Sequence, residues 1–241
     1  MNVSIPIIDL FAGPGGLGEG FSAYKTIKRR FPFRICLSVE KDYHAHQTLR
    51  LRSFFRKFSD GNAPREYYLF LKGQLSREKL FDLFPEEFAD AAKEAWHAEL
   101  GKVSRREVDA RIRAALKGSK TWILIGGPPC QAYSTAGRSR MAKIWREKPE
   151  IRESDERHFL YKEYLRILAK HKPPVFVMEN VRGLLSAKLS NGPIFRQIIR
   201  DLRNPTRVFR NIGSGRVNYR LYSFVSRSSD LSLFKEPTPP T

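Results

Sequence analysis

Cys130 and Glu179 are the side chains best placed for covalent and proton-transfer chemistry. Cys130 follows Trp122-Ile123-Leu124-Ile125, an apolar run that suits a strand buried on both faces. Gly126-Gly127-Pro128-Pro129 then stops ladder and helix alike and leaves a stiff turn. A thiol just past a strand's carboxyl end stands where reacting groups sit in an open α/β sheet. Most free cysteines are small buried hydrophobes. One displayed by Gly-Gly-Pro-Pro and followed by Gln131 is a poor core residue, so the nucleophile reading is preferred. Glu179 and Asn180 close a second apolar run, Val175 to Met178. Two parallel strands would therefore bring Cys130 and Glu179 to one sheet edge. A carboxyl group in an apolar, water-poor site has a raised pKa and can donate a proton at neutral pH.

A third run, Ile5 to Leu10, flows into Phe11-Ala12-Gly13-Pro14-Gly15-Gly16-Leu17-Gly18. Glycines at these positions permit a tight turn and close approach of a ligand to the backbone. A helix from Leu17 to about Arg30 and a strand from Phe33 to Val39 complete the opening of a nucleotide-type βαβ unit. Glu40, at the second strand's end, is placed to hold both hydroxyls of a ribose, against the plainer reading of a solvated charge opening a helix. The turn has no lysine for phosphates, so a P-loop is excluded. An adenosine derivative without a long phosphate tail fits better. A nicotinamide oxidoreductase would also use the turn but gives Pro128-Pro129-Cys130-Gln131 no role.

These residues need a frame. Helical sequence runs from Tyr43 to Phe58, and residues 60–120 read as an added, mostly helical module. In it Pro85-Glu86-Glu87 is a helix start, and Ser104 with Glu107 makes a capping box ahead of Val108, Ile112, Ala115 and Leu116 on one face. Trp96 and the aromatics at 67, 68, 70, 81, 84 and 88 read as this module's core, while Asp60 is a weak candidate for contacting a nucleoside base. A helix from Arg157 to Lys170 carries Leu160, Tyr161, Tyr164, Leu165 and Leu168 at helical spacing. Pro193 to Arg203 predicts another helix, and Val217, Tyr219, Leu221 and Phe224 a strand.

The 41% hydrophobic content is ordinary, but the formal net charge of +19 is not. It predicts attraction to polyanions, most plausibly nucleic acid. An anionic membrane surface is the rival, although no segment is long and apolar enough to span a bilayer. The basic loop after Cys130, with Ser134, Arg138 and Arg140, could close over a phosphate backbone, or be a solvated surface loop. Arginines at 196, 200, 203, 207, 210, 216, 220 and 227 form a second candidate backbone-binding surface. Cys36 and Cys130 make no disulfide framework, no metal site is expected, and no signal peptide is visible, which suits a reducing, cytoplasmic setting.

Phe11-Ala12-Gly13-Pro14-Gly15, Pro128-Pro129-Cys130-Gln131 and Glu179-Asn180-Val181 resemble, in order and spacing, three signature motifs of the DNA cytosine-5 methyltransferases. The resemblance implies a Rossmann-like α/β S-adenosylmethionine-dependent methyltransferase sheet with a helical insertion. It makes residues 1–230 the catalytic domain, the insertion 60–120, and 231–241 a disordered tail. It also implies S-adenosylmethionine bound by Phe11, Ala12, Gly13, Gly15, Gly16, Leu17, Glu40 and Pro128. Cys130 would be the nucleophile, Glu179 the acid on the cytosine ring and Asn180 its positioner. Gln131, Ser134, Arg138 and Arg140 would contact duplex DNA around a flipped cytosine. The family's later Gln-x-Arg-x-Arg motif, target-recognition region and late motifs are not found here. The chain therefore reads as a catalytic domain in DNA modification or restriction-modification. A split enzyme with a second chain for target recognition, a truncated product, an inactive remnant, and an RNA cytosine-5 methyltransferase stay open beside it.

Overall fold

The computed structural model describes residues 4–28, 30–58, 62–128, 156–179, 188–189, 192–209, 212 and 215–224. The chain divides into two compact units, Met1–Pro129 with Pro173–Glu179, and Cys130–Lys172 with Asn180–Thr241.

The first unit is built on a parallel sheet. Its strands are β1 (Ile5–Leu10), β2 (Phe33–Glu40), β3 (Ala95–His97), β4 (Ile123–Gly126) and β5 (Val175–Met178). They lie in the order β3-β2-β1-β4-β5, and every pairing is parallel. This is the Rossmann-like, doubly wound order, with crossovers leaving on both sides of β1. The central strands are apolar because both their faces are covered: Ile7, Ile8, Leu10, Leu124 and Ile125 have no exposure. β5 differs. Val175 is exposed and the rest half-buried, because β5 ends the sheet among the described residues.

Helix α1 (Gly16–Ala23) is shorter than the sequence predicts. It stops at Tyr24, whose backbone is extended, and the following residues turn through a Thr26 N–H bond to the Arg30 carbonyl. Its Leu17 and Phe21 pack with Phe33 against Ile7, Ile35 and Ile125. Helix α2 (Tyr43–Phe55) starts on Asp42, whose carboxylate accepts from the Ala45 N–H at 2.8 Å.

The stretch between β2 and β3 holds α3 (Arg65–Leu71), α4 (Arg77–Leu83) and α5 (Pro85–Glu94), the last with proline in its first turn. Phe54, Leu80, Phe81 and Ala91 form their core. Tyr68 is exposed rather than part of it. Trp96 is buried but belongs to β3, so the helical stretch is interrupted by a strand of the main sheet. Helix α6 (Arg105–Leu116) begins as expected, with Ser104 accepting from the Glu107 N–H, and buries Val108, Ile112 and Leu116. Arg56 ties α1 to α5 by pairing with both Glu19 and Glu94, and Lys57 reaches Glu94 at 2.6 Å. Burial pushes the Glu94 carboxyl up, but Arg56 and Lys57 outweigh it and hold the group below its ordinary value.

The second unit contains α7 (Glu156–His171), α8 (Ile194–Arg203), α9 (Pro205–Val208) and a short antiparallel pair, β6 (Lys188–Leu189) with β7 (Gly192–Pro193). α7 is buried more completely than its periodicity suggests: Tyr164, Leu165, Ile167 and Leu168 are all covered. Within it Arg166 donates to Glu163 at 2.9 Å, a buried pair one turn apart. Tyr161 donates to the Ile198 carbonyl at 3.2 Å, and burial pushes its phenol well up. Residues 216–223 do not form the predicted strand. They carry no regular structure, and Tyr222 and Phe224 are exposed, so the alternation there is not the pattern of a half-buried sheet face.

Candidate active site

The carboxyl ends of β1, β2, β4 and β5 meet at one edge of the sheet. β1 leads into a strained turn: Phe11 has φ 56°, a left-handed value that non-glycine residues seldom take. The Ala12 N–H donates to the Val39 carbonyl at 3.0 Å, which ties this turn to the end of β2. Gly13 and Gly15 are also left-handed, with φ 57° and 90°. At Gly15 a Cβ would also lie 2.8 Å from Leu49 Cδ1, so a side chain there would have to push the Leu49 methyl aside.

Glu40 holds this turn from beside it. One carboxylate oxygen accepts from the Gly13 N–H at 2.7 Å, and the other accepts from the Asp42 N–H at 2.7 Å. The sequence predicts Glu40 at the end of β2 as a ribose ligand; what the structure shows there is its hold on the glycine turn. Above Gly13 and Gly16, none of the described residues comes within 4 Å of where a Cβ would stand. Leu17, by contrast, turns its side chain into the core, so only its backbone is available to a ligand.

Glu179 stands where β4 and β5 end together. Gly126 pairs with Met178, and the Glu179 N–H donates to the Gly126 carbonyl at 3.1 Å. The two following glycine positions are tightly hemmed. A Cβ on Gly126 would be 2.0 Å from the Leu10 carbonyl oxygen, and one on Gly127 would be 3.1 Å from the Glu179 carbonyl oxygen. The Glu179 side chain is exposed rather than enclosed in the apolar surroundings expected for it. Pro128 is buried next to this junction. Cys130, Gln131, Ser134, Arg138, Arg140 and Asn180 lie outside the described residues, as does Asp60. The other thiol, Cys36, is half-buried on β2, where burial pushes it up and away from the reactive thiolate.

Two acids near this edge escaped the sequence reading. Asp9 is 1% exposed, both its oxygens lack a hydrogen-bond partner, and burial pushes it up to about 7, with Arg56 lowering it and Glu40 and Glu179 raising it. Its place in the apolar run hid it. Glu99 follows β3, where it pairs with Lys41 at 3.2 Å and Lys102 at 3.1 Å. Ala95-Trp96-His97 is too short and mixed a run to be told from helix, so the acid after the third strand was sought at Asp60 instead.

Comparison with known proteins adds an independent finding. Residues 75–205 match the model of the C-5 cytosine-specific DNA methylase family. The type II methyltransferase M.Bpa9945I of Bacillus paralicheniformis is 34% identical over 209 residues, which cover 80% of this chain and 43% of that protein. M.BspRI of Lysinibacillus sphaericus is 39% identical over 195 residues, covering 81% of this chain and 36% of that one. A putative type II methyltransferase of Methanocaldococcus jannaschii, M.MjaORF1200P, is 28% identical, covering 82% and 54%. The chain thus spans roughly a third to a half of the length of these relatives. Among solved structures, the Entamoeba histolytica methyltransferase EhMeth aligns with a TM-score of 0.37 at 14% identity, covering 84% of this chain and 45% of that one, too slight a likeness to bear on the fold. On the strength of the matched family model and these relatives, the chain belongs to the C-5 cytosine-specific DNA methylase family.

Proposed function

We propose that this protein transfers a methyl group from S-adenosylmethionine to C5 of cytosine in duplex DNA, in the setting of restriction-modification. The observation that carries the reading is the junction of strand ends: Glu40 locked onto the Gly13 N–H, and Glu179 bonded to Gly126 just ahead of the turn leading to Cys130.

The glycine turn fits the cofactor's adenosine half. Glu40 keeps unused lone pairs on both oxygens for two neighbouring hydroxyls. Phe11 offers an aromatic ring, and the open backbone at Gly13 and Gly16 admits close approach. Ala12, Gly15, the Leu17 backbone and Pro128 would complete the cradle. When bound, the cofactor supplies an electrophilic methyl carried on a sulfonium.

The residues of this chain then have defined tasks. Cytosine C5 is a weak nucleophile until the Cys130 thiolate forms a bond to C6 and drives electron density toward C5 and N3. Glu179, protonated and bonded to N3, takes up that charge by giving N3 its proton. Once C5 carries the methyl, loss of the C5 proton to solvent restores the C5–C6 double bond and expels Cys130 as thiolate. The N3 proton returns to Glu179. Asn180 would orient this edge of the base. The base must leave the duplex to be reached, and Gln131, Ser134, Arg138 and Arg140 would hold the backbone around it. Because Glu179 is exposed, the water-poor surroundings its acid role needs would arrive with the bound base.

The test is covalent trapping. Duplexes carrying 5-fluorocytosine in many contexts are mixed with the protein and S-adenosylmethionine. Fluorine blocks loss from C5, so the expected product is a denaturation-resistant adduct that Cys130→Ala abolishes. No adduct, from protein that binds S-adenosylmethionine in calorimetry, would reject catalysis by this chain alone.

A further inference from the structure

Between β2 and β3 lies a cationic cluster that the proposed methyl transfer does not use. Arg50 on α2 and Arg77 at the start of α4 are both half-buried. Their guanidinium carbons lie 5.6 and 5.3 Å from the centre of the Phe81 ring, and Arg50 lies 5.1 Å from that of Phe88. Phe81 and Phe88 are stacked at 4.2 Å, so the rings form a rigid apolar wall for both cations. Each arginine donates one hydrogen bond, and both bonds go to Gln47. Arg50 Nη2 reaches its Oε1 at 2.8 Å, and Arg77 Nη2 its carbonyl at 2.9 Å.

A guanidinium carries five N–H donors, so most of this capacity is unused. The Nε of each is buried with no partner, and neither arginine forms an ion pair among the described residues. Other charged groups near them form no ion pair with them among the described residues. Burial lowers the pKa of both and Arg50 lowers that of Arg77 further, while Tyr43 raises both and Glu78 raises Arg77 without pairing with it. His46 donates or accepts at the Ala95 carbonyl at 3.0 Å and stacks on His97 at 4.9 Å; burial lowers its pKa, so it adds no charge. Two cations partly withdrawn from water, with fixed planes and no ion-pair partner among the described residues, are an incompletely balanced arrangement. An anion with several oxygens balances it, because the forked guanidinium matches such oxygens in pairs.

We infer that Arg50 and Arg77 form a phosphate-binding site whose ligand is a backbone phosphate of nucleic acid. The nucleic-acid source rests on the proposed function; the phosphate chemistry does not. The site gives the helical stretch between β2 and β3 a task, which is to hold the duplex backbone.

The test uses the full chain and a fluorescein-labelled duplex, followed by anisotropy across a salt series. Arg50→Gln/Arg77→Gln is expected to weaken binding about tenfold and to make the log–log salt slope shallower by about 1. Arg50→Lys/Arg77→Lys keeps the charge without the fork, so it should keep the slope and recover only part of the affinity. It also decides the matter if the glutamine variant does not fold. Unchanged affinity and slope in a variant that melts like the wild type would overturn the site. If the wild type binds no duplex, the methyl-transfer reading fails separately, and inorganic phosphate becomes the probe. A phosphate-dependent rise in melting temperature, lost in the variant, then assigns the site to free phosphate; no rise overturns it.

Discussion

Asp9 lies on the α1 side of β1, with its Oδ2 only 3.0 Å from where a Cβ on Gly18 would stand. Burial raises its pKa from 3.8 to about 7. The folded protein therefore holds a proton that the unfolded chain releases near pH 4. Its stabilising effect is complete below that value and is lost as pH rises through about 7. Compared with Asp9→Asn, the wild type should lose stability between about pH 4 and pH 7, by an amount on the order of a few kcal/mol. Urea unfolding across that range reads it directly, and parallel curves for the two proteins would refute it. Glu40 has different surroundings at the same edge: its two oxygens accept backbone N–H groups. One carboxylate is thus organised by the backbone around it and the other is kept from water.

Among the elements, the junction of β4 with β1 is the most demanding. Gly126 has φ 142°, and any side chain there would strike the Leu10 carbonyl. Gly126→Ala should destabilise the protein by about 3 kcal/mol or more. Gly20→Ala, on α1 with open space around it, should be neutral or stabilise by about 0.5–1 kcal/mol. Thermal unfolding of the pair separates a close approach from mere glycine flexibility; equal effects would mean the junction is softer than its geometry. These strand ends were legible in the chain because buried parallel strands are written as apolar runs. β1 and β5 fall where Ile5–Leu10 and Val175–Met178 predict, and β4 is displaced by one residue. β3 was illegible because three residues pairing on one side leave no period to read. The strand expected near Val217 failed for the opposite reason, since alternation alone does not supply a partner. Glu40 and Glu179 were found from their places after strands, whereas the arginine pair was not, since its members come from separate helices and meet only through Phe81 and Gln47.

At the scale of the whole molecule, charge and topology set behaviour. A net charge of +19 predicts duplex binding that weakens about 10³-fold or more between 50 and 200 mM salt, if about six or more phosphates are contacted. Anisotropy on an arbitrary sequence measures it, and a flat salt response would show that the excess charge is not turned toward DNA. The sheet's order has its own effect on how the protein comes into being. Ile7 pairs with Ile35 on one side and with Ile123 on the other, nearly half the chain later. While the protein is being synthesised, β1 and β2 emerge early and then wait with one apolar edge unclaimed until β4 leaves the ribosome. That interval is a window for aggregation. Slower initiation, lower temperature or a chaperone that shields the first forty residues should therefore govern the yield of folded protein more than any single contact in the finished sheet.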